Sequence, residues 1–165
     1  GGRPADVIRA FNVLRQYDES EVADAWSRMS ARLSSTGALV EGTCDELGRV
    51  ASWVTIPRDR EATFSLSVRL ADLERPSVVA ERLPKALIHR NVPGEPIHSL
   101  LEDLDRHWAR NAPLGTYGPV QRFVATVEAM RTGGRRVLGG RDRWRLGEIT
   151  VPWADVAPVD GAALP

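Results

Sequence analysis

Three short stretches concentrate side chains able to bind polar ligands or move protons. Asn12, Arg15, Gln16, Tyr17, Asp18 and Glu19 crowd into one polar loop behind an apolar run. Glu41, Thr43, Cys44, Asp45 and Glu46 follow a second apolar run. His89, Arg90 and Asn91 sit in "KALIHRNVPGEP", a loop holding Gly94 and two prolines. Amide and guanidinium groups orient a ligand, and a histidine is the usual general base near neutral pH. Glu41, Asp45 and Glu46 are carboxylates of the kind that serve as base or anchor, although such residues are more often solvated turn groups. Cys44 as a nucleophile needs a base partner that the sequence does not supply, and a free cysteine commonly packs as a small hydrophobe.

Other chemistries fit poorly. His98 and His107 are nine positions apart on one expected helix, so at about 100° per residue they point to opposite faces and do not share a metal. One cysteine in 165 residues rules out a disulfide framework and a cysteine-rich zinc site, and fits a reducing cytoplasm. Twenty-two acidic residues balance 22 basic ones, of which Lys85 is the single lysine, so no global field draws the chain to nucleic acid or anionic lipid. Arg131, Arg135, Arg136, Arg141, Arg143 and Arg145 surround Trp144, a mixture that suits single strands. A solvated turn region is the simpler expectation, and nucleic acid is not the expected partner. No apolar stretch reaches the ~18 residues of a membrane span, and the first residues lack the apolar run of a signal peptide.

The elements that position these groups follow from periodicity. Ala5–Phe11 reads as a strand. Asp18 with Glu21 forms a capping-box pattern opening a helix of about 19–33, whose stripe is Val22, Trp26, Met29 and Leu33. Ser34-Ser35-Thr36-Gly37 is expected to stop it, with Gly37 left-handed. Ala38–Thr43 is the next strand, parallel to the first through a helical crossover. Residues 49–56 and 62–70 flank a polar turn as an antiparallel hairpin. A short helix at 77–83 precedes helices opened by Pro96 (stripe Ile97, Leu100, Leu101, Leu104, Trp108) and Pro119 (stripe Val120, Phe123, Val124, Val127, then Met130 or Arg131). The last strand is expected over 144–153, with a bulge at Gly147. Trp26, Trp53, Trp108 and Trp153 are expected in the core. Residues 154–165 read as a loosely held tail. The fold class is α/β with a mixed sheet, parallel strands being followed by an antiparallel hairpin and helices.

In open α/β sheets, ligands bind beyond the carboxyl ends of the parallel strands, which places the first two polar stretches at a candidate site. There the sequence resembles a known family. Asn12-Val13-Leu14-Arg15-Gln16-Tyr17 and Leu33-Ser34-Ser35-Thr36-Gly37-Ala38-Leu39-Val40-Glu41-Gly42-Thr43 resemble the fourth and fifth strand regions of class I S-adenosylmethionine-dependent methyltransferases. "RAFNVLRQYDE", "LPKALIHRNVPGEPIH" and "WRLGEITVPW" are similar to actinobacterial methyltransferase-like proteins. The resemblance covers most of the chain and implies a Rossmann-like sheet of the methyltransferase type, C-terminal half only. It implies methyl transfer to an acceptor of unspecified kind, with S-adenosyl-L-methionine as cofactor. Asn12, Val13, Leu14 and Gln16 would line the cofactor; Tyr17, Arg15 and His89 would be the catalytic candidates; Arg90 and Asn91 would contact the acceptor.

The family's Gly-rich loop after the first strand, and the acid that ends its second, have no counterpart here. Gly1-Gly2, Gly133-Gly134 and Gly139-Gly140 do not join a strand to a helix within a strand–helix–strand unit. The resemblance therefore implies a C-terminal piece that, in isolation, is inactive and binds the cofactor poorly. Two rival expectations remain: a non-catalytic interaction module on the same scaffold, and arginine-driven RNA binding. An exposed edge at Ala5–Phe11 is expected to favour a homodimer or strand exchange.

Overall fold

Alternating side chains organise one mixed sheet. In the computed structural model, which describes residues 3–160 and 164, the strands are β1 Ala5–Phe11, β2 Leu33–Cys44, β3 Val50–Pro57, β4 Thr63–Val68 and β5 Glu148–Pro152. They lie in the order β1-β2-β3-β4-β5. The first pair is parallel and the remaining three are antiparallel. The helices are α1 Val22–Ser30, α2 Lys85–Ile88, α3 Pro96–Arg110, α4 Pro119–Thr132 and α5 Arg141–Trp144, with shorter 3-10 turns between them. This is the expected α/β class.

Register decides which side chains meet. Leu39 pairs with Ile56, Val54 with Phe64, and Leu66 with Ile149, and all six are buried on one face. The stripes Ile97, Leu100, Leu101, Leu104 and Trp108 of α3, and Phe123, Val124, Val127 and Met130 of α4, join the same core. The other face is open. Val7 is 63% exposed there, Phe11 and Trp53 are half-buried with ring centroids 6.4 Å apart, and the Arg9 guanidinium lies over Phe11. Trp53 is therefore not a core residue, unlike Trp26, Trp108 and Trp153.

Three boundaries differ from the sequence expectation. α1 ends at Ser30, and Leu33 already begins β2, so 34–37 are strand rather than a helix stop. The apolar spacing of Leu33 fits either element, and its pairing with Ala5 decides for the strand. Gly37 is needed for closeness, not for a left-handed turn: a Cβ there would meet the Ala5 carbonyl oxygen at 2.9 Å. At the other end, Trp144 belongs to α5 and Leu146 is 67% exposed, so β5 starts only at Glu148. Gly147 is a left-handed residue (φ 80°) leading into the strand, not a bulge within it.

After β5 the chain stays attached as far as it is described closely. Val156 is fully buried and Asp155 receives Arg136 through two hydrogen bonds. Residues 161–163 and 165 of the expected tail, and Gly1-Gly2, lie outside the described residues.

Candidate functional site

The parallel strands β1 and β2 end side by side, and one residue joins them. Asn12 follows β1 with φ 59°, a left-handed conformation that asparagine tolerates better than most residues. Its backbone N–H donates to the Gly42 carbonyl at 2.8 Å. Its side-chain Oδ1 accepts from the Cys44 N–H at 3.0 Å, and Nδ2 points at the Cys44 sulfur at 3.5 Å. A backbone conformation of this kind, held by partners on the neighbouring strand, is typical of functional loops.

The loop beyond Asn12 turns sharply. Leu14 is 2% exposed and anchors a 3-10 turn over Leu14–Gln16. Its side chain faces the core, so of the four expected cofactor-lining residues only Asn12, Val13 and Gln16 present side chains to solvent. Tyr17 is half-buried against the core, and Arg15 is exposed. The expected capping box is formed: Glu21 returns its carboxylate to the Asp18 N–H at 2.9 Å, and the Asp18 side chain accepts from the Glu21 N–H.

The distant 89–91 segment is carried to this loop. Thr43 and Ser52, on β2 and β3, both donate their hydroxyls to the Arg82 carbonyl, pinning the 3-10 segment Pro76–Arg82 to the core face of the sheet. α2 then delivers Arg90, whose Nε donates to Glu19 at 2.7 Å while Nη1 reaches Glu95 at 3.3 Å. Both carboxylates hold the guanidinium charged, Glu19 foremost. His89 is exposed beside it. Asn91 turns away: its Oδ1 lies 3.1 Å from His98 Nδ1.

Glu41 is the polar side chain that sequence reasoning misplaced. It is no solvated turn group. It lies inside β2, fully buried, between Ala10 and Val54. Neither carboxylate oxygen has a hydrogen-bond partner among the described residues, and neither does the Trp26 indole N–H. Burial pushes the Glu41 carboxyl up to about 7, and the approach of the Trp26 indole opposes the rise without closing a well-formed bond. The alternation Leu39-x-Glu41-x-Thr43 carried the signal, since all three occupy one buried face.

The arginine-rich run is internally matched. Arg135 pairs with Asp103, Arg136 with Asp155, Arg141 with Glu128, Arg143 with Glu148 and Arg145 with Asp142, while Arg131 lies over the Trp144 ring. Among the described residues no group of three or more His, Cys, Asp or Glu side chains gathers as a metal site, and no helix is long and apolar enough to cross a membrane. No family model matches the chain, and no curated protein or solved structure matches it.

Proposed function

We propose that the ends of β1 and β2, with the loop 12–19 and the segment 89–91, form the acceptor-facing side of an S-adenosylmethionine-dependent methyl-transfer site. The observation that carries this is Asn12: a left-handed residue at a parallel strand end, clamped to Cys44 of the adjacent strand, where α/β sheets place their ligands. The sequence resemblance of 12–17 and 33–43 to class I methyltransferases supplies the reaction class, with the sheet as its Rossmann-like C-terminal half.

The donor set fits part of the cofactor. The amides of Asn12 and Gln16, with exposed Val13, suit its polar aminoacyl end. Nothing among the described residues suits its adenosine end, because Gly133-Gly134 follow α4 and Gly139-Gly140 precede α5, so neither pair joins a strand to a helix. When bound, S-adenosylmethionine supplies an electrophilic methyl group on a sulfonium. Asn12 ties the ends of β1 and β2 together through Gly42 and Cys44, and the Glu19–Arg90 pair fixes where His89 stands. Tyr17, Arg15 and Arg90 orient an acceptor, and His89 removes its proton where the acceptor needs that.

Calorimetry on the 165-residue chain tests the half-site. The expected dissociation constant for S-adenosylmethionine is on the order of 1 mM or weaker. Micromolar binding would contradict it.

A second reading has its own observation. One face of the parallel pair is uncovered, with Val7 and Phe11 on it and Trp53 beside them on β3, and parallel strands are normally covered on both faces. That favours an interaction module in which the sheet face is covered by a partner.

A further inference from the structure

A cleft lies at the same end of the sheet as the loop 12–19, on the other side of β2 from it. It has a volume of about 600 Å³ and opens between the start of β3, the end of β4 and the 3-10 segment Pro76–Arg82. Ligand sites for small molecules typically run to about 300–1,000 Å³. Its floor is apolar: Val68 is buried, and Val50, Leu73 and Val78 pack against the core while half-exposed.

The rim carries both signs of charge. Arg49, Arg69 and Arg75 line it, and so do Asp72, Glu74 and Glu81. None of the six side chains makes an ion pair or side-chain hydrogen bond with another described residue. Seven arginines elsewhere form ion pairs: Arg90, Arg106, Arg135, Arg136, Arg141, Arg143 and Arg145. An exposed ion pair adds little to stability, so the missing pairs alone decide nothing. The arrangement does: opposite charges, all on exposed side chains, line one apolar-floored cleft within reach of a ligand that carries both signs. The rim is formally neutral, so a simple anion gains no net field there.

We propose that this cleft binds a zwitterionic small molecule with an apolar body, of the amino-acid type. Its carboxylate would meet the forked donors of Arg69 and Arg75, its ammonium the acids of the rim, and its apolar part Val50, Val68 and Leu73. The inference stands apart from the methyl-transfer reading, because it uses none of the residues 12–19 or 89–91.

Amide chemical shifts of the 165-residue chain test it, with L-phenylalanine as probe and phenylacetate, phenethylamine and inorganic phosphate as comparisons. Phenylalanine is expected to give saturable shifts at Arg49, Val50, Arg69, Leu73 and Val78. Phenylacetate and phenethylamine, each with one charge, are expected to need at least about tenfold higher concentration, and phosphate to give no saturation at these amides. Arg69→Ala with Arg75→Ala should weaken phenylalanine at least about tenfold with the circular dichroism spectrum retained, while Arg143→Ala should leave it unchanged. No saturable shift, equal affinity for phenylacetate, or a double variant that binds normally would each overturn the proposal.

Discussion

Arg90 and Glu19, seventy-one positions apart in the chain, meet with 2.7 Å between Nε and Oε1. The contact joins the two stretches that carry most of the site chemistry, and each half of it was visible only as an isolated polar residue. If the pair is what holds His89 beside the strand ends, Arg90→Ala should raise amide hydrogen exchange at both 12–19 and 89–91. Glu19→Gln should do the same, and the double variant should add little. Unchanged exchange in the partner segment would show that α2 and the Arg82 anchor suffice without it.

Asn12 should resist replacement in a particular order. Alanine keeps the strain of a left-handed φ and loses the hydrogen bond to Cys44, which together should cost about 1–3 kcal/mol in urea unfolding. Glycine removes the strain and loses only the bond, so Asn12→Gly should cost less. The reverse order would mean that the conformation is not retained in solution.

Gly42 should tolerate no side chain. A Cβ would collide with the Ser52 carbonyl oxygen and approach Trp53 Cβ at 2.5 Å. Gly42→Ala should destabilise by about 1–3 kcal/mol and disturb the Phe11–Trp53 contact, readable as a change in tryptophan emission.

Glu41 makes stability depend on pH. Its carboxyl, ordinarily near 4.5, is raised to about 7 by burial, so the folded state holds a proton that the unfolded chain releases. The stabilising contribution is therefore complete below about 4.5 and is lost as pH rises through about 7, a swing on the order of 3 kcal/mol. Glu41→Gln, which cannot ionise, should flatten the stability curve between pH 5 and 8. An equally steep curve in that variant would place the titration elsewhere.

The two sheet edges are unequal. Beyond β5, the Leu138 N–H donates to the Thr150 carbonyl and covers part of the edge. β1 pairs only with β2, so its outer edge is unpaired among the described residues, and Val7 is exposed beside it. Association through β1, as a dimer or by strand exchange, is the expected consequence. Val7→Lys should suppress it, and a monodisperse monomer by light scattering at high concentration would argue against it.

Much of the fold was legible because its signals are local. Ala5–Phe11, the Asp18–Glu21 capping box, the Pro96 and Pro119 helix starts and the hairpin around 58–61 all follow from periodicity or caps. What was not legible depends on partners far along the chain. Leu33 fits a helical stripe until Ala5 pairs with it, and Trp53 looks apolar enough for the core until the register turns it to the open face. The site divides the same way. A strand end marks Asn12 as a polar candidate and a Pro/Gly-bounded loop marks Arg90, but only the folded chain shows that Leu14 is internal, that Asn91 turns to His98, and that Glu41 is sealed in.

The loop 12–19 and the segment 89–91 are proposed above as one side of a single cofactor and acceptor site. Amide shifts during a titration with S-adenosylmethionine test it most directly. Weak, co-varying shifts at Asn12, Val13, Gln16, Tyr17 and Arg90, diminished in Arg90→Ala, are the expected result. Shifts confined to other surfaces, or none at millimolar cofactor, would contradict it.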